Sequence, residues 1–300
     1  MDTPEKQPKK SKARTVTGFV VAATILFAML CGGWVFVTAL LLFVFLCERE
    51  YVEILNHKGF QPSLRIIASI SFLLIAATVM SKFQWFLPIT VAGIILSFVS
   101  VLFNRRQPYI ANVSTTVFGF LLCWMPSFVF SLRNAGLPCD ANIFGLWQNN
   151  VGAGYIIVMF FSILATDIGA YVFGTKFGKT KLNPEVSPKK TVEGAVAGGL
   201  CAVVAAIIFG LTIKMTLIQS ICAGLLITLF AQIGDLSESL IKRDAGVKDS
   251  GDTLPGHGGF LDRADSYLLT APVAYYFFEY FINTPFVIEI QKVLTSVGLT

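Results

Sequence analysis

Charge is scarce in this chain. Only 14% of its 300 residues are Asp, Glu, Lys or Arg, against about 25% in an ordinary soluble domain. With 55% hydrophobic residues and a mean hydropathy of +0.71, that shortage excludes a soluble globular protein and indicates an integral membrane protein. A disulfide framework is also lacking. Cys31, Cys47, Cys123, Cys201 and Cys222 fall in or beside apolar runs, Cys139 has no obvious partner, and all six read as small packing residues. The opening "MDTPEKQPKKSKARTVTG" has the basic start of a signal peptide but no small-residue cleavage site after it. It reads as a retained basic tail before the first span.

What is abundant is long apolar runs. A span needs about 20 apolar residues. The run from Val16 to Cys47 is too long for one helix, and Cys31-Gly32-Gly33 offers a turn that divides it in two. Further runs lie at roughly 64–80, 84–103, 113–132, 152–174, 192–211, 216–235 and 267–283. The expectation is an all-α polytopic membrane protein with about nine transmembrane helices. Basic residues collect on the cytoplasmic side of a membrane. With the N-terminus inside, all 23 Lys and Arg face inward except Lys82, Arg133, Lys214 and Lys292. The N-terminus is therefore expected in the cytoplasm and the C-terminus outside. The organisation reads as a basic cytoplasmic tail (1–15), five transmembrane helices (16–132) and an external loop (133–151). A catalytic membrane region (152–285) and a C-terminal tail (286–300) complete it.

Three polar clusters fall in the second half, all on the inner side. In "ATDIGAYVFGTKFGKTKLNP", Asp167 lies about eight residues before the end of the sixth span, on the order of 12 Å below the boundary. Asp167, Tyr171, Gly174 and Gly178 share one helix face. A carboxylate at that depth faces a partner or a water-filled cavity; the alternative is a structural hydrogen bond to a neighbouring helix. "SPKKTVEG" at 187–194 puts Lys189 and Lys190 at the start of the seventh span, where free N–H groups favour anions. An anchor at the lipid headgroups explains the same residues equally well. The third cluster joins "AQIGDLSESLIKRD" to "KDSGDTLPGHGGFLDRAD". Asp235, Glu238, Ser239 and Lys242 form one stripe, which a solvated face of ion pairs also explains. The glycines of "PGHGG" let backbone approach a ligand closely. Asp262 and Asp265, one turn apart, suit an oxygen-ligated cation such as Mg²⁺ shared with a phosphate. His257 could hold metal or phosphate, or simply make a local hydrogen bond. These readings reach as far as a membrane-edge enzyme handling a phosphorylated substrate.

The segment "SLIKRDAGVKDSGDTLPGHGGFLDRAD" resembles the signature of the phosphatidate cytidylyltransferases, also called CDP-diacylglycerol synthases. Ser239, Lys242, Arg243, Lys248, Asp249, Gly251, Pro255, His257, Gly258, Gly259, Asp262, Arg263 and Asp265 fall in register with it. Ala264 departs from it, replacing a larger apolar residue or Thr. "SPKKTVEG" and "GDLSES" also resemble family segments, so the likeness covers roughly 152–285. The resemblance implies transfer of the cytidylyl group of CTP to phosphatidate, giving CDP-diacylglycerol and pyrophosphate, with Mg²⁺ and room for a second cation.

On that basis Asp235, Asp262 and Asp265 are the expected metal carboxylates, with Asp249 nearby. Lys248, His257 and Arg263 are expected to act with them in catalysis. Asp167, Lys189, Lys190, Ser239, Lys242, Arg243, Gly258 and Gly259 are expected to bind substrate. The expected partners are CTP, phosphatidate and membrane lipids, with no nucleic acid and a homodimer left open. The expected location is the cell's inner (plasma) membrane, active site toward the cytoplasm. A related lipid nucleotidyltransferase, a CTP-dependent isoprenoid kinase and a transporter of phosphorylated solutes are the competing readings. The transporter is disfavoured because the charge sits at one face rather than at the midplane.

Overall fold

The structure is a computed structural model that describes residues 23–105, 107–135, 151–251, 253 and 258–283. A helical stretch over 23–31 breaks at Gly32, whose φ of 67° suits a residue without a side chain, and α1 (Gly33–His57) follows at once. Next come α2 (Leu64–Val79) and α3 (Phe86–Asn104), the latter entered through a 3-10 turn at Phe83–Trp85. A second 3-10 turn, Met125–Ser127, joins α4 (Tyr109–Trp124) to α5 (Phe128–Arg133). The second half holds α6 (Val151–Phe177), the antiparallel pair β1 (Lys181–Asn183) and β2 (Ser187–Thr191), then α7 (Val192–Thr212) and α8 (Leu217–Asp244). Last is α9 (Leu261–Tyr276), which continues as a π-helical turn over Phe277–Ile282.

Five helices among the described residues are long and apolar enough to cross a membrane: Phe83–Asn104, Tyr109–Arg133, Val151–Phe177, Val192–Thr212 and Leu217–Asp244. Their outer faces carry side chains that water would not tolerate together, such as Leu87, Ile95, Leu102, Val196, Leu200 and Val204. In lipid that exterior costs nothing, and each helix satisfies its own backbone. The chain is a multi-pass, mostly helical membrane protein.

Association inside lipid needs close backbone approach, which small residues allow. The buried stripe of α7 is Gly194, Gly198, Ala202, Ala206 and Gly210, every fourth residue. A Cβ on Gly198 would stand 2.6 Å from the Thr166 carbonyl oxygen of α6, so only glycine permits that crossing. α8 begins at a capping box, with Thr216 Oγ1 accepting from Gln219 N and Thr216 N donating to Gln219 Oε1. It crosses α9 closely at Gly234, where a Cβ would meet the Asp265 carbonyl oxygen at 2.4 Å.

Three expectations change here. The second span was expected to end at Cys47, but α1 continues to His57 and buries Glu48 and Glu50. Its apolar spacing runs on through Tyr51, Ile54 and Leu55, all buried, so packing carries the helix past the charges. "SPKKT" is a strand rather than a helix start: Val192 N donates to Thr180 O, and Thr191 caps α7 by accepting from Gly194 N. The helical architecture therefore includes one short hairpin. The ends of the chain, 1–22 and 284–300, and most of the expected external loop, 136–150, lie outside the described residues.

Candidate active site

A cavity of about 640 Å³ lies where α6, the hairpin, α7 and α8 meet. Asp167, Tyr171, Gly174 and Gly178, placed on one face by their spacing, all line it. The hairpin contributes Lys181, Leu182, Lys189 and Lys190, and α8 contributes Gln232 and Asp235. Glycine spacing opens this space, since Gly174 and Gly194 bring α6 and α7 together without filling it. A polar chain ties the three helices beneath it. Thr166 Oγ1 donates to Thr228 Oγ1 at 3.0 Å, and Gln232 Nε2 reaches Thr228 Oγ1 and Ala195 O, each at 3.1 Å.

Acid and base face each other across this lining. Lys190 Nζ pairs with Asp235 Oδ2, and Ser239 Oγ donates to Asp235 Oδ1 at 3.4 Å. Asp167 feels the charges of Asp235, Lys190 and Arg263, and Asp265 feels those of Asp235 and Asp167. Burial first, and then these two like charges, push the Asp265 carboxyl up to about 7. Three carboxylates from α6, α8 and α9 thus lie near enough to act on one another, with Lys190 paired to one of them.

Asp262 stands in a different network. Lys242 Nζ lies 2.5 Å from both Asp262 Oδ1 and Glu238 Oε2, joining α8 to the start of α9. Asp262 Oδ2 accepts from Gly259 N at 2.8 Å and from Ser250 N at 3.0 Å. Burial by itself would raise this carboxyl, but the bonds from Lys242, Gly259 and Ser250 hold it below the usual range. The glycines of "PGHGG" do allow close approach, here to the protein's own carboxylates. A Cβ on Gly258 (φ 73°) would lie 2.2 Å from Asp262 Oδ2, and one on Gly259 would lie 2.1 Å from Glu50 Oε2.

The remaining expected residues divide. Arg243 donates to Val186 O and Val247 O, pinning the hairpin to the end of α8. Lys248, Asp249 and Lys189 are exposed, as is Arg263 beside Asp167. His257 lies outside the described residues. The sequence reading did not single out Lys181, Gln232 or Glu50. Lys181 and Gln232 gave no motif; helical spacing followed past Cys47 puts Glu50 on the buried face of α1 but does not say what it meets.

No three His, Cys, Asp or Glu side chains among the described residues stand close enough to hold a metal ion by themselves. The expected trio Asp235, Asp262 and Asp265 therefore does not form a ready-made ligand set; Mg²⁺ usually takes one or two carboxylates together with waters and phosphate oxygens. The hard carboxylate oxygens of Asp235 and Asp265 are of the donor type it prefers.

Comparison with known proteins extends the likeness over the N-terminal half as well. The pattern describing the "Cytidylyltransferase family" matches residues 12–281. A protein of Synechocystis sp. named phosphatidate cytidylyltransferase is 37% identical over 290 residues, covering 90% of this chain and 96% of its own length. Phosphatidate cytidylyltransferase 4, chloroplastic, of Arabidopsis thaliana is 35% identical over 298 residues, 92% of this chain and 75% of the relative. An uncharacterized protein of Escherichia coli, YnbB, is 36% identical over 275 residues, 90% of this chain and 87% of the relative. With the signature in register from Ser239 to Asp265 and the family pattern running from before the first span to the end of the last helix, this chain belongs to the cytidylyltransferase family.

Proposed function

We propose that this protein transfers the cytidylyl group of CTP to phosphatidate, forming CDP-diacylglycerol and pyrophosphate. The observation that carries this reading is the cavity itself. It joins a lysine-bearing hairpin to converging carboxylates, and α6 and α7 present apolar side chains to lipid beside it. A phosphate oxygen of phosphatidate attacks the α-phosphorus of CTP, and the bond from that phosphorus to the β-phosphate bridging oxygen breaks. The lipid phosphate is the nucleophile, so the protein need supply none. Its burden is to align two anions and to neutralise the charge that grows on pyrophosphate.

Lys181, Lys189 and Lys190 would hold the polyphosphate, and Arg263, with its planar fork, one phosphoryl group. Asp235 and Asp265 would hold Mg²⁺, with Asp167 behind them and Asp262 fixing the start of α9. Bound there, Mg²⁺ would draw charge from the phosphate oxygens. Tyr171 and the outer faces of α6 and α7 would lie beside the acyl chains. Nine spans, with the N-terminus, the hairpin and the 244–262 loop in the cytoplasm, would put the cavity where CTP is found. The test is incubation of purified protein with labelled CTP, phosphatidate and Mg²⁺. A labelled CDP-lipid and released pyrophosphate are expected. Label transferred only to a polyprenol, or none transferred, would refute the reading.

A further inference from the structure

Glu50 is a carboxylate from the N-terminal half that reaches the signature loop more than two hundred residues away in sequence. It is 4% exposed, and among the described residues no Lys or Arg pairs with it. Four hydrogen-bond donors meet it instead. Phe260 N, at the N-cap of α9, donates to Oε1 at 2.9 Å, and Leu261 N, the first amide of α9, donates to Oε2 at 2.8 Å. Thr253 Oγ1 donates to Oε1 at 2.6 Å, and Ser250 Oγ lies 3.0 Å from Oε2. Ser250 Oγ is also 3.0 Å from Asp262 Oδ2 and accepts from Asp262 N at 3.3 Å, so Glu50 and Asp262 share one small network.

A helix start leaves its first N–H groups without partners, and its dipole favours negative charge there. α9 has no side-chain cap of its own. Glu50 supplies that cap from another helix, and Gly259 and Gly251 make room for it. α9 is therefore held at two points, by Glu50 at its first turn and by the Gly234 crossing at Asp265. Asp262 and Arg263 stand between these points, and Asp265 stands at the second.

We infer that Glu50 is a positioning residue for cytidylyl transfer: by capping α9 from α1, it sets the height and rotation at which Arg263 and Asp265 meet the substrates. This rests on the reaction assigned above. Only a carboxylate fits four donors, because the amide of Gln would point an N–H₂ group at a backbone N–H. A shift of about 1 Å at such a site costs on the order of 100-fold in rate.

The experiment compares wild type, Glu50→Gln, Glu50→Asp and Thr253→Val in detergent. It measures kcat, KM for CTP, thermal midpoint and amide exchange at Phe260 and Leu261. Glu50→Gln should lose on the order of 10- to 100-fold in kcat, with a smaller change in KM and faster exchange at the two amides. Glu50→Asp should recover part of the rate, and Thr253→Val should move in the same direction by less. Wild-type kcat in Glu50→Gln would overturn the inference. So would a loss that tracks the folded fraction alone and is no better in Glu50→Asp. Failure of the wild type to make a CDP-lipid would instead overturn the assigned reaction, while amide exchange would still report the Glu50 contact.

Discussion

Replacing Lys242 by Met removes one ammonium and leaves two carboxylates that shared it. The side chain is 10% exposed, that of Glu238 1% and that of Asp262 9%, so water cannot take over its role. Breaking a buried ion pair by deleting one partner costs roughly 3–5 kcal/mol, because the abandoned charge stays desolvated. Two carboxylates are abandoned here. A carboxyl stranded in apolar surroundings takes up a proton rather than remain charged, and Asp262 keeps its bonds from Gly259 and Ser250. Both effects hold the loss to about 3–5 kcal/mol for the pair of contacts together. At a few degrees per kcal/mol, the thermal midpoint in detergent should fall by on the order of 10 °C. Adding Glu238→Gln should recover much of that fall, since one of the two stranded carboxyls, with its cost of staying charged or taking up a proton, is then gone. KM for CTP, measured well below the midpoint, should stay within about threefold of wild type, a difference under 1 kcal/mol. An unchanged midpoint with a tenfold higher KM would refute the reasoning and return Lys242 to the phosphate-binding role that its place in the signature suggests.

Asp235→Asn and Asp265→Asn should each abolish turnover without lowering the thermal midpoint or blocking membrane insertion, and normal turnover at low Mg²⁺ in both would move the cation elsewhere. Asp265 keeps its proton in the folded protein up to about 7, whereas an unfolded Asp loses it near pH 4. Its contribution to stability is therefore full below about pH 4 and is lost as pH rises through about 7. Without Mg²⁺, the midpoint of Asp265→Asn, whose amide stands in for the protonated carboxyl, should match wild type near pH 4 and rise above it across that window, and a constant difference would contradict the crowding of carboxylates. Gly198→Val should destabilise by about 1–3 kcal/mol, because its Cβ would lie 2.6 Å from the Thr166 carbonyl oxygen; an unchanged midpoint would mean that α6 and α7 separate freely. Single cysteines introduced at 181–190 should resist impermeant label in sealed cells, and labelling there would invert the proposed orientation.

Hydropathy and motif spacing establish the membrane class, the positions of most helices and the register of the signature. Apolar runs fix helix positions because a bilayer accepts only segments that satisfy their own backbone, and hydropathy alone reveals those. The runs at 84–103, 152–174 and 192–211 lie within a few residues of the observed helices. Helical spacing likewise put Asp167, Tyr171, Gly174 and Gly178 on one face, because 3.6 residues per turn is a local property. Tertiary structure decided the division of labour among the charges. Asp235 and Asp262 are both signature-region acids near helix ends. One lines the cavity beside Lys190, and the other is held by Lys242, Ser250 and Gly259. That difference depends on which helices cross at Gly234 and Gly198, a matter of side-chain size on facing surfaces. Glu50 was the least legible. Its role comes from the docking of α1 against the start of α9, a pairing between distant residues that no local spacing encodes.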